Sequence, residues 1–210
     1  VAGPEKVPSG HVTNLARLTM NFFRPGGSFA DVPDTFIPRI QKVIEIMNVA
    51  LDEYNTLLTN NIIFQERTRD IGILSKEKAL SYGCTGPVLR ASGVSYDVRR
   101  NDPYSIYDRF DFDIPIGTVG CSFDRYWIRM EEMAQSVRIL EQAVKDLRGG
   151  PYCRKAQEAY SLPRGSYYSQ VDTARGMLGS YIIAEGGGKP YRIRFGFRSF
   201  CNWRVLRDIA

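Results

Sequence analysis

Few residues in this sequence are of the kinds that carry out chemistry, and their spacing suits it poorly. The four cysteines, Cys84, Cys121, Cys153 and Cys201, stand singly, and the only histidine is His11. Zinc and iron–sulfur sites need soft ligands in clusters, so the chain is expected to bind no metal or other cofactor alone. Scattered thiols of this kind serve as small buried hydrophobes in a reducing compartment. A nucleophile-and-base enzyme is poorly supported: His11 falls in a stretch rich in Pro and Gly, and no G-x-S-x-G elbow occurs. Gly188-Lys189 suggests a phosphate loop, but that motif needs glycine at 183 and Ser or Thr at 190. The residues there are Ile183 and Pro190, so a hairpin turn is the better account. Asp111 and Asp113 suggest a carboxylate pair, yet a spacing of two fits alternation along an exposed edge.

The charge is more informative. The net charge is +5, and residues 161–210 hold eight Lys or Arg against three acids, while the first 160 residues balance. A local excess of this kind points to an anionic partner, with a solvated strand face as the plainer account. Phe195-Gly196-Phe197-Arg198-Ser199-Phe200 has the aromatic spacing of an RNA-recognition strand. Its upstream half disagrees, with Arg194 in place of glycine and Ile193 in place of a basic residue. An RNA-binding module is therefore the remote alternative, and no nucleic-acid partner is expected. Hydrophobic residues make up 43% of 210, but no apolar run reaches membrane-spanning length.

The elements that must position these residues can be outlined from periodicity. Pro4, Pro8, Gly3 and Gly10 mark residues 1–17 as an extended arm. Arg24-Pro25-Gly26-Gly27 is a sharp break, whose glycines suit positive φ or a close backbone approach. Ile37, Ile40, Val43, Ile44, Met47, Leu51, Tyr54 and Leu58 form one apolar stripe, predicting a helix capped by Asp34 and running to about Leu58. A short helix follows Ser75 and stops at Gly83. Residues 84–120 read as ordered but irregular. A long helix is expected from Ser122 to Leu147, stopped by Gly149-Gly150-Pro151. Residues 178–184 and 190–197 alternate with period two and predict strands. The resulting fold is mainly α with a C-terminal β hairpin or small sheet. Its units are an arm (1–17), a helical core (18–150) and a linker plus hairpin (151–210).

Several strings, in order, resemble the D-type, quinone-site subunit of respiratory complex I (NADH:ubiquinone oxidoreductase). Arg24-Pro25-Gly26-Gly27 matches the family's R-P-G-G. Thr59-Asn60-Asn61-Ile62-Ile63-Phe64 and Arg67-Thr68-Arg69-Asp70-Ile71-Gly72 match T-x-N-x-I and R-T-x-x-I-G. Gly86 to Gly93 matches G-x-x-L-R-x-S-G, and Tyr96-Asp97-Val98-Arg99-Arg100 looks like W-D-L-R-K. Asp124-Arg125-Tyr126, Arg129, Glu132-Met133, Gln135-Ser136 and Ile139 match D-R-Y-x-x-R-x-x-E-M-x-Q-S-x-x-I. Pro190-Tyr191-Arg192 matches the P-Y-R turn. The resemblance spans about residues 18–203.

It implies the central part of a fold shared with nickel–iron hydrogenase large subunits, whose paired metal-binding cysteines are lacking here. It also implies a wall of the pocket where ubiquinone takes electrons from a terminal iron–sulfur cluster held by a small neighbouring subunit. Arg24, Gly26, Gly27 and Thr19 are expected near that cluster and the quinone site. Arg90, Arg99, Asp124 and Arg125 are expected to be structural, with the arginines pairing to acids such as Asp97 and Glu132. The implied setting is the peripheral arm of complex I at the mitochondrial inner membrane, on the matrix side. There are departures: Thr19 stands where the family has histidine, Met177 where it has an acid, and Asp172 where it has Glu. The segment before the strands is shorter. The family is about twice as long, so companion chains are expected to supply its N- and C-terminal parts. An assembly scaffold without catalytic role is the alternative reading.

Overall fold

The computed structural model describes residues 22–24, 26–147, 149–154 and 161–209. The arm over 1–17, Thr19 and Pro25 lie outside them. The chain opens with two short antiparallel strands, β1 (Phe23–Arg24) and β2 (Gly27–Ser28). Helix α1 (Phe36–Tyr54) follows and continues into a π-helical turn over Asn55–Thr59. The expected stripe is therefore helical to its end. Asp34 does not cap it; the N-cap is Thr35, in a helical conformation and without a side-chain cap bond.

Helix α6 (Ser122–Asp146) packs against α1. Ile44 and Leu51 meet Met130 and Val137, with Ile40, Met47, Tyr126 and Met133 around them. Both pairs are seven residues apart, the spacing of a seam between two helices. The pair is antiparallel: Ile44 and Glu45 face Glu141 and Val144 at one end, and Thr59 bonds Tyr126 across 3.0 Å at the other.

Between them, the sequence motifs become short helices. Asn61 caps α2 (Ile62–Thr68) by accepting from Phe64 N–H, a start signal that motif matching alone passes over. Ser75 caps α3 (Lys76–Ser81), and Gly83 ends it at φ 66°. The stretch expected to be irregular contains α4 (Pro87–Ala91), α5 (Val98–Asn101) and a 3₁₀ turn at Tyr107–Arg109. These helices are too short to leave a periodic signature. A second core forms here from Leu74, Ala79, Cys84 and Leu89, completed by Val205 from the end of the chain.

The C-terminal hairpin is a three-stranded antiparallel sheet in the order β3 (Gly165–Thr173), β4 (Gly176–Ala184), β5 (Arg192–Phe197). β3 falls in the stretch expected to be linker. Its sequence is polar and aromatic, and it is ordered by pairing along the full length of β4 rather than by its own apolar alternation. Two short helices, α7 (Ser199–Arg204) and α8 (Leu206–Ile209), end the described chain. No described helix is long and apolar enough to cross a membrane.

Candidate functional site

The largest fully buried side chain is that of an arginine. Gly86, at φ 68°, turns the chain and Pro87 opens α4, so that Arg90 projects into the interior at 2% exposure. Its Nε donates to Glu132 Oε1 of α6 at 2.7 Å, and its terminal nitrogen donates to the Tyr96 carbonyl at 3.0 Å. The same nitrogen lies 3.4 Å from Asp97 Oδ2. Asp97 is the N-cap of α5 and accepts from Arg99 N–H at 2.9 Å. The Arg99 guanidinium then grips it with two bonds, 3.0 and 2.7 Å long. Arg99 also reaches Asp172 of β3, with Nε 3.6 Å from Oδ2, and lies over the Phe112 ring at 4.9 Å. Helix α6, two short helices and the sheet thus converge on one buried ionic cluster.

The cluster does not balance. Arg90 and Arg99 bring two fixed cations; Asp97, Glu132 and Asp172 bring three acids. An uncompensated charge in a poorly solvated place is costly, and the weakest-paired acid is the one to hold a proton. That acid is Asp172, whose link to Arg99 is the longest of these ion pairs. Burial pushes its carboxyl from 3.8 up to about 6; Arg99 opposes this, and the neighbouring Asp97 adds to it. Asp97 goes the other way. Burial alone would raise it, but the hydrogen bonds and charge of Arg99, with help from Arg90, hold it below the ordinary range. The Tyr104 hydroxyl accepts from Asp172 N–H at 3.0 Å, and burial raises that phenol to about 12.

Two other sites sit apart from this cluster. At the start of α6, Asp124 Oδ2 accepts from the N–H groups of Thr118, Val119 and Gly120 at 3.3, 2.8 and 2.9 Å. Arg125 donates to the carbonyls of Gly120 and Gly72 at 2.7 and 2.8 Å. It therefore ties loops through their backbone, whereas Arg90 and Arg99 pair with acids as expected. The second site is the Arg24 hairpin. Gly26 and Gly27 have φ of 98° and 144°, and Gly27 lies so close to 152–153 that a Cβ there would sit 2.9 Å from Cys153 Cα. Ser28 N–H donates to the Tyr152 carbonyl at 3.0 Å, and Arg154 N–H to the Gly26 carbonyl at 2.9 Å. The exposed Arg24 lies over the Phe29 ring at 4.1 Å.

Asp111 and Asp113 belong to no strand edge. Both pair with Arg138, and their N–H groups donate to Gln142 and Gln135, so they strap the preceding segment to α6. Met177 is buried, and its N–H donates to Thr85 Oγ1, which makes it a core residue. Tyr104 is the site residue that motif matching passes over, and Asp172 is marked there only as standing in place of Glu, not as a member of an ionic cluster. The signal available is an acid on a strand otherwise dominated by Tyr, Ser and Gln. Cys84 and Cys121 are buried free thiols, and burial, with Cys201 nearby, pushes the Cys84 thiol up to about 11. No group of three or more His, Cys, Asp or Glu among the described residues is arranged to hold a metal. This donor set does not fit an iron–sulfur cluster bound by these residues.

The described fold is an antiparallel helix pair joined to a small three-stranded sheet. It matches a chain in the structure of the membrane-bound sulfane sulfur reductase, an archaeal respiratory membrane complex. The TM-score is 0.80 with 34% identity, covering 88% of this chain and 52% of that one. The family model described as respiratory-chain NADH dehydrogenase, 49 Kd subunit, matches residues 11–161 and 153–210, and the chain belongs to that family. The D-type subunit of the NADH-quinone oxidoreductase of Desulforamulus reducens is 45% identical over 194 residues, covering 92% of this chain and 53% of that protein. The corresponding protein of Dehalococcoides mccartyi strain 195 is 46% identical over the same length, and that of Clostridium beijerinckii is 43% identical over 195 residues. The chain spans about half the length of these curated relatives.

Proposed function

We propose that this chain forms part of the wall of the quinone-reduction module in an NADH:quinone oxidoreductase complex. The observation that carries this reading is the match over 92% of the chain, at 45% identity, to a D-type subunit of NADH-quinone oxidoreductase. The rest of the family's length, a small iron–sulfur subunit and other complex subunits are its partners. Ubiquinone and the terminal cluster are held jointly with them. The chain's place in this reading is the peripheral arm of a membrane-associated complex. The mitochondrial inner membrane, matrix side, is part of the proposal, although the relatives described above are bacterial and archaeal.

Arg24, Gly26, Gly27 and Thr19 lie beside the cluster in this reading. The hairpin supports it geometrically, because two positive-φ glycines hold a cation at an exposed turn that is sewn to 152–154. A fixed positive charge there favours the reduced cluster. Replacing Arg24 by Met in the complex lowers the cluster's midpoint potential, by on the order of tens of millivolts for an exposed charge. Quinone reduction slows, while NADH oxidation by an artificial acceptor is retained. Redox titration and both activities on one sample test this. An unchanged potential with normal quinone reduction reduces Arg24 to a packing residue, and the assembly scaffold is favoured if no companion chain carries the rest of the quinone site.

A further inference from the structure

The outer edge of β5 is built to receive another strand. Arg198 N–H donates to the Met177 carbonyl, and Leu178 pairs with Phe197. By antiparallel alternation, residues 192, 194 and 196 turn their backbone groups to β4. The N–H and C=O groups of Ile193, Phe195 and Phe197 therefore point away from the sheet. Nothing among the described residues pairs with them, since β5 ends the strand order. The side chains of these three residues are 45–61% exposed on one face of the sheet. Arg192, Arg194 and Arg198 occupy the other, and none of them forms an ion pair among the described residues.

A bare edge with an apolar side invites uncontrolled pairing, and proteins cover or blunt such edges. This one carries no proline or bulge within Arg192–Phe197, and its arginines all face one way. A second copy of β5 pairing antiparallel would bring like charges together, which disfavours that occupant. Charge complementarity selects a different chain. We propose that β5 accepts a fourth strand from the half of the family's length that this chain does not cover. That segment is extended, with acidic side chains on the arginine face and apolar ones on the Phe195 face. Main-chain bonds supply the pairing and the two faces set the register. This goes beyond the quinone reading and fails or succeeds separately from it.

The test uses the purified complex. In hydrogen exchange, the outward amides of Ile193, Phe195 and Phe197 exchange within about tenfold of the inward amides of Arg194 and Gly196 if the edge is paired. Outward amides exchanging much faster would overturn the proposal. A photo-crosslinking p-benzoylphenylalanine in place of Phe195 identifies the occupant by mass spectrometry. An acidic, extended peptide from outside residues 1–210 is the expected product. A second copy of this chain, an RNA or a lipid in its place would overturn the proposal. Arg192→Glu with Arg194→Glu should abolish the crosslink and the Lys pair should retain it; a crosslink indifferent to charge would also overturn it.

Discussion

Asp172 is the residue whose behaviour most separates this protein from a generic helical scaffold. Its pKa is raised in the fold, so its ionised form is the disfavoured one. The stabilising contribution is complete below its ordinary pKa of 3.8 and is lost as pH rises through about 6. The shift corresponds to about 3 kcal/mol. Asp97 has the opposite sign, because its lowered pKa stabilises the fold above the ordinary carboxylate range and is lost in acid. Asp172→Asn removes the titrating group but keeps the shape. The variant should gain stability at neutral pH and lose the downward slope between about pH 4 and 6. The urea midpoint, read by pulse proteolysis of the chain within the complex at several pH values, gives both. A slope unchanged by the substitution would assign the proton to another group. None of this is legible in composition: a string match names Arg90 and Arg99, but only the packing of α4, α5, α6 and β3 reveals three acids around two cations.

Elements with strong local signals read well from the sequence. The stripe from Ile37 to Leu58, the Ser75 cap with Gly83, and the long helix after Cys121 all appear where periodicity and capping place them. What periodicity misses has a common cause. The helices α4 and α5 have five and four residues, less than two turns, and take their order from Arg90 and Asp97 rather than from an apolar face. β3 takes its order from β4. The break between β1 and β2 is legible because Gly26 and Gly27 can take the positive φ that other residues rarely adopt. That makes Gly27 the sharpest test at this scale. Gly27→Ala must crowd the 152–153 backbone at φ 144°, and should cost roughly 1–3 kcal/mol. The expected outcome is faster protease cleavage between residues 22 and 30 and near 152, with α1–α6 unaffected. An Ala variant as resistant as the parent would mean that the hairpin shifts at no cost.

At the scale of the whole molecule, the described surface carries many exposed large apolar side chains. Val43, Ile46, Val49 and Leu57 are 42–66% exposed along the side of α1 and the π turn that α6 leaves open. Phe200 and Trp203 of α7 are 64% and 67% exposed. Such a surface favours association. Expressed alone, the chain should self-associate in light scattering, and it should copurify with segments supplying the remaining half of the family's length. A stable, soluble monomer would count against both. One further consequence follows from Thr85 and Asn202, which exchange two hydrogen bonds of 3.2 Å each across 117 residues, next to a core that Val205 completes. The Leu74 core cannot close until the last residues of this stretch have left the ribosome. Loop closure over such a separation is slow to nucleate. The helix pair has all its parts by residue 146, so it is the first unit able to form during synthesis. The core beneath α4 waits open beside it, and that nascent chain is the state in which a chaperone has most to cover.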